Sequence, residues 1–288
     1  MGDPYVLMLI ALAVLAIVDL VVGVSNDAVN FLNSAIGSKA IPVKNIMIIA
    51  SVGVFLGAIT SSGMMEVARK GIFNPDMFVF QDVMLIFMAV MITDILLLDV
   101  FNSLGMPTST TVSIVFELLG AAFVIALIKI TQNDTENLSA IWNYINYNTA
   151  TEIILGILLS VAVAFTVGAI VQYFSRLIYS FNFENRPTYI HSLFGGFAIT
   201  AITYFIIIKG LQGTEFYGSI KHILDDNNAL ILGVNFVFWT AFSHVFVKIL
   251  KKNILVLIIG VGTFSLAMAF AGNDLVNFIG VPIAALNS

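Results

Sequence analysis

The chain has 288 residues, 59% of them hydrophobic and 10% charged, with a formal net charge of −5 and a mean hydropathy of +1.02. So few charges cannot coat a water-soluble domain, and the composition implies an all-α polytopic membrane protein. The absence of cysteine excludes a disulfide framework and a thiolate metal site. No basic cluster beyond Lys248, Lys251 and Lys252 offers a surface to nucleic acid.

Tyr5 to Val24 is an apolar run long enough to cross a bilayer, and no basic residue precedes Lys39. It is expected to be a retained first span rather than a cleaved signal. The stretch that follows, 24–40, is crowded with amides, hydroxyls and an acid, which lipid tolerates only where they face protein or a water-filled cavity. As a helix from Asn26 to Ile36 it has a polar face of Asn26, Asn30, Asn33 and Ser34 and an apolar face of Ala28, Val29, Leu32, Ala35 and Ile36. Ser25 or Asn26 can cap its start, and Gly37 sits where a helix usually stops. Roughly 16 Å of helix is about half a hydrocarbon core. A re-entrant half-helix is therefore expected here, of the kind that builds substrate and ion sites in secondary transporters.

Further spans are expected over Ile46 to Thr60, Val83 to Val100, Thr111 to Ile130, Ile153 to Tyr173, Ser192 to Ile208, Ala229 to Val247 and Ile254 to Ala271. With the first span they make about eight transmembrane helices, plus re-entrant half-helices. Between them, Ser61 to Gln81 and Gly210 to Asn228 read as polar connections, and Thr131 to Thr149 as a solvent loop or short surface helix. A tight break from Asn102 to Pro107 leads into Thr108, Ser109, Thr110 and Thr111. The lysines between the last two spans place that loop in the cytoplasm. This puts the N-terminus outside, and Arg69 and Lys70 outside too, against the same rule.

At the end of the eighth span, Asn273-Asp274 is followed by Asn277 and Phe278, as Asn26-Asp27 is followed by Asn30 and Phe31. Two copies at one spacing, each directly after an apolar span, are an internal repeat. Seven spans intervene, an odd number, so the copies are expected to enter from opposite sides as an inverted-topology repeat. The expected divisions are 1–130 for the first repeat, 131–252 for connecting spans and 253–288 for the start of a second repeat. No second Pro-Thr-Ser-Thr-Thr hairpin follows Asn277, so the polypeptide is expected to be the N-terminal portion of a longer transporter.

These motifs resemble the inorganic phosphate transporter (PiT) family of sodium- or proton-coupled permeases. Its signature G-A-N-D-V-A-N-x-F-G-T-x-x-G-S is matched in spacing at Asn26, Asp27, Asn30, Gly37 and Ser38. The second copy is matched at Asn273, Asp274, Asn277, Ile279 and Gly280, with Pro282 one residue late. The G-x-P-x-S-T-T-H element is matched at Gly105, Pro107, Ser109, Thr110 and Thr111. Val112 stands where the family has His, Phe116 and Glu117 replace small residues, and Asn33 and Ser34 replace Gly-Thr. The resemblance implies a homodimer in a multi-pass membrane setting (the cell inner membrane if the source is bacterial), with a phosphate site between two repeats.

Phosphate needs many donors and little like charge. Helix N-termini supply free N–H groups and positive dipole ends. Asn26, Asn30, Asn273 and Asn277 can donate amide hydrogens, and Ser109, Thr110 and Thr111 hydroxyls. No Arg or Lys lies near these elements in sequence except Lys39, so the site needs a co-bound cation. Asp27 and Asp274 suit sodium, with carbonyls of the broken backbone; a proton is the other coupling ion. No enzymatic cofactor is expected.

Several polar residues have simpler roles open to them. Asn33, Ser34 and Ser38 serve helix packing as readily as ligand contact. Ser109, Thr110 and Thr111 could be a water-facing helix cap. Asp94 and Asp99 lie on different helix faces and suit an interhelical hydrogen bond or cap as well as a proton path. Glu117 suits gating or pairing as well as ion binding. His191, His222 and His244 have no ligand-spaced partners and read as loop or interfacial residues. Three rival functions remain: a carrier of sulfate or arsenate on the same scaffold, a channel, and an intramembrane aspartyl protease using paired aspartates. The protease would need a Gly-x-Gly-Asp element, which is absent.

Overall fold

A computed structural model describes residues 4–60, 71–132, 137–179, 186–211 and 215–286. Its helices are α1 (Pro4–Ser38), α2 (Val43–Thr60), α3 (Phe80–Leu104), α4 (Thr110–Gln132), α5 (Ile141–Tyr144), α6 (Tyr147–Ile178), α7 (Thr188–Phe205), α8 (Glu215–Asp226), α9 (Asn228–Lys248), α10 (Ile254–Asn273) and α11 (Leu275–Leu286). Short 3₁₀ turns occupy Pro75–Met77 and Leu138–Ala140, and a π turn at Ile206–Gly210 extends α7. Among the described residues the only β pairing is an isolated bridge between Phe73 and Ile145. Among the described residues eight helices are long and apolar enough to cross a membrane, and the chain is a multi-pass membrane protein.

Three sequence expectations change. The half-helix expected over Asn26–Ile36 is not separate: α1 continues without a break for 35 residues to Ser38. At 1.5 Å per residue that is about 52 Å, well beyond a hydrocarbon core of roughly 30 Å. Ser25 does not cap a new helix. Its hydroxyl donates to Val21 O, one turn back, at 2.7 Å, and so is satisfied inside a continuing helix. The stop comes where Gly37 suggested, with Lys39 in the left-handed region at φ 54° and Pro42 beyond. The connection over Gly210–Asn228 is not all loop, because α8 fills Glu215–Asp226 with an apolar and a polar side. The span expected over Ile153–Tyr173 is the longer α6, whose apolar stretch is unburied within the chain. Arg69 and Lys70 lie outside the described residues.

The chain divides into two units. One holds Met1–Asn30, Gly63–Leu159 and Asn273–Ser288; the other holds Phe31–Ser62 and Ser160–Gly272. In the first unit α3 packs along α4, and α11 lies against both. Its core is a layer of Leu12, Met84, Phe87, Met91, Leu118, Ala122 and Val281. Gly23 of α1 lies under the ring of Phe278, so close that a Cβ there would overlap it. Lys129 Nζ pairs with Asp82 Oδ2 at 2.6 Å.

In the second unit α7 packs along α9. Gly195 and Gly196 meet Ser243 and Thr240, while Gly53 and Gly57 of α2 meet Ala267, Ala271 and the backbone of α10. In lipid there is no hydrophobic drive between helices, so close backbone approach over small residues supplies the contact. His191 is buried and pairs with Tyr179 Oη at 3.1 Å; His244 pairs with Ser192 Oγ at 3.2 Å. Burial pushes the Tyr179 hydroxyl up to about 12, so it keeps its proton at physiological pH.

Candidate functional site

The hairpin between α3 and α4 is dictated locally. Gly105, at φ 68°, ends α3. Gly105 N–H donates to Asn102 O at 3.0 Å and Met106 N–H to Phe101 O at 2.9 Å, the paired bonds of a Schellman stop. Pro107 cannot continue the helix. Ser109 then opens α4, its Oγ accepting from Val112 N–H at 3.4 Å and so satisfying one of the first N–H groups of the helix.

Asn26 holds this hairpin against α1. Its Nδ2 donates to Asn102 Oδ1 at 2.9 Å and to Met106 O at 3.2 Å, and its Oδ1 accepts from Thr108 N–H at 2.8 Å. Asn102 Nδ2 in turn donates to Val22 O at 3.0 Å. Asn26 is 4% exposed and both amide hydrogens are engaged within the protein. These bonds hold the hairpin against α1.

The hairpin thereby faces the aspartates of both Asn-Asp copies. Asp27, Asn30, Pro107, Thr108, Ser109, Thr110 and Asp274 line one pocket of about 320 Å³. Asp27 is 2% exposed. Its Oδ1 accepts from Asn30 Nδ2 at 3.1 Å, and its Oδ2 is buried with no hydrogen-bond partner. Thr111 Oγ1 donates to Asp274 Oδ1 at 3.3 Å. Asp274 sits on the turn between α10 and α11, where the helix is interrupted. The pocket thus combines two carboxylates, one orphaned buried oxygen, hydroxyls and a helix N-terminus. The orphaned Asp27 oxygen, with the neighbouring hydroxyls, is a donor set that fits a small hard cation such as sodium. The side chains of Asn273 and Asn277 lie outside the described residues. Asn33, Ser34 and Ser38 are exposed away from this pocket.

Sequence reasoning missed Asn102 and Thr108 as site-building residues; their bonds reach across 80 and 82 positions to α1. It also missed Asp19, an acid inside the first apolar span. That signal was present, because an acid in a span is a functional candidate by default. Asp94 is fully buried and accepts from Ser113, whereas Asp99 is exposed.

The pattern described as "Phosphate transporter family" matches residues 23–288. A protein of Thermococcus kodakarensis named "Putative phosphate permease" is 28% identical over 273 residues, covering 91% of this chain and 62% of its own. A solved structure titled "The sodium-dependent phosphate transporter" superposes with a TM-score of 0.73 at 20% identity, over 97% of this chain and 67% of that one. The chain thus spans about three fifths of the length of the curated relative.

Proposed function

The chain belongs to the phosphate transporter family, and from that premise we propose that it is a cation-coupled carrier of inorganic phosphate. The family is one of transporters, so the protease alternative falls away. The observation that carries the proposal is the pocket that joins Asp27 and Asp274 to the N-terminus of α4.

Phosphate would lie at the first turn of α4, accepting from N–H groups of that turn and from the hydroxyls of Ser109 and Thr110. A helix N-terminus contributes at most about 2 kcal/mol to holding an anion. A carboxylate about 4 Å away opposes it by about 4 kcal/mol at an effective dielectric of 20. Two such carboxylates outweigh the helix end, so the anion is held only when cations neutralise them. Co-occupancy is then obligatory, which is what symport requires. Asp27 and Asp274 would hold the cation, and the name of the solved relative favours sodium. Asn26 and Asn102 keep the hairpin in place throughout.

Two further parts belong to this proposal. The first is a homodimer. The second is a two-fold relation between repeats, supported by a swap of equivalent contacts: Phe278 covers Gly23 while Phe31 packs on Phe270 at 5.1 Å. Phosphate binding to the full chain, measured calorimetrically with sodium, with choline and across pH, tests the coupling. Binding that strengthens at least tenfold with sodium is expected; binding indifferent to both cations rejects it. Sulfate or arsenate displacing phosphate at equal concentration would reassign the carried oxyanion.

A further inference from the structure

We propose that Asp19, Asp94 and Glu117 form a proton-binding site within the membrane-spanning helices, separate from the pocket of Asp27 and Asp274. Asp19 on α1 and Asp94 on α3 have no exposed surface. Asp19 faces both Asp94 and Glu117, and Asp94 faces Glu117 on α4. Ser113 Oγ lies 2.6 Å from Asp94 Oδ1 and 2.8 Å from Glu117 Oε1. A hydroxyl has one hydrogen and can donate to one of these oxygens only. For the second contact to be a hydrogen bond, the other carboxyl must carry a proton and donate to Ser113. Both oxygens of Asp19, Asp94 Oδ2 and Glu117 Oε2 are buried without a donor. One hydroxyl hydrogen thus serves Asp94 and Glu117, and Asp19 has no donor at all.

Among the described residues the surroundings supply no countercharge. Lys129 is twelve residues beyond Glu117 on α4, about 18 Å along the helix, and is paired with Asp82. The next facing charge is Asp27 on α1, another acid, with Asp274 beyond it. α11, packed on α3 and α4, carries no titratable residue. The two contacts of Ser113 with carboxyl oxygens place the missing positive charge there as a proton. Ser113 and Glu117 also line an apolar groove of about 590 Å³ between α3 and α4, so the cluster is not sealed. Thr108 lines both that groove and the Asp27 pocket. Removing the proton sets anions on α1, α3 and α4 face to face, so the packing of these helices responds to pH.

The test is difference infrared spectroscopy of the full chain in lipid, without phosphate, following the stretching band of protonated carboxyls. The band is expected at neutral pH, fading as pH rises, and losing half or more of its amplitude in Asp94→Asn, Asp19→Asn or Glu117→Gln. Carbon-13 labelling of aspartate and glutamate carboxyls in the unaltered chain assigns the band even if a variant fails to fold. No band at neutral pH overturns the proposal. So does a band removed by Asp27→Asn alone, or one erased by sodium at constant pH, which would indicate a metal-ion site. Because phosphate is absent, the outcome is independent of whether the chain carries phosphate.

Discussion

In the first Asn-Asp copy, α1 stays helical through Asn26 and Asp27; in the second, a turn at Asp274 separates α10 from α11. The two copies differ at the residue before the motif, which is Ser25 in one and Gly272 in the other. Glycine weakens a helix by about 1 kcal/mol relative to alanine, whereas Ser25 bonds back to Val21 O and stays within the turn. The same four motif residues thus sit on an unbroken helix in one place and at an interruption in the other. Asp27 is consequently held inside a rigid helix and nearly fully buried, while Asp274 is half-buried on a turn. Identical motif spacing does not impose identical backbone.

Substitutions can break or sharpen this contrast. The largest effect is expected at Phe278, which fills the space over Gly23. Phe278→Ala should lower stability by about 3–5 kcal/mol through the cavity it leaves, read as a fall in the thermal midpoint of the purified chain. Gly23→Leu should also destabilise, by about 1–3 kcal/mol. The double variant should recover part of the loss, since the two sites touch; strict additivity would mean that the contact is not made. Next comes Asn26→Ala, which strands Met106 O and Thr108 N–H. A cost of about 2–3 kcal/mol is expected, with the hairpin between α3 and α4 becoming faster in amide exchange before the rest of the chain. Unchanged exchange there would remove Asn26 from its clamping role.

Within the pocket, Asp27→Asn should weaken sodium-dependent phosphate binding at least tenfold, about 1.4 kcal/mol, and Asp274→Asn by less, since Asp274 is the more solvated of the two. Equal losses would erase the distinction between the copies. Thr111→Val removes the bond to Asp274 and should cost about 1 kcal/mol, or several-fold in affinity. The smallest effect is expected at the partly exposed Lys129–Asp82 pair. Lys129→Met should change stability by less than about 1 kcal/mol, and by less still at high salt.

Much of this was legible in the chain itself. The spans follow from apolar runs, because lipid demands length and apolarity. The α3–α4 hairpin follows from Gly105, Pro107 and Ser109, because each acts on its own backbone. The two Asn-Asp copies stood out because polar residues next to a span are conspicuous. Not legible was the course of α1 through Asn26. The rule that polar clusters break spans was outweighed by Ser25 bonding to its own helix and by Asn26 finding partners on the hairpin.

The sequence by itself determined that this is a many-span helical membrane protein with a repeated polar motif, since hydropathy and local turn chemistry act within a few residues. Only the tertiary structure decided that Asn26 bonds to the hairpin, that Asp27 and Asp274 share a pocket, and that Asp19, Asp94 and Glu117 converge. Those meetings join residues tens to hundreds of positions apart, and they depend on which helix faces pack together, something periodicity along one helix does not encode.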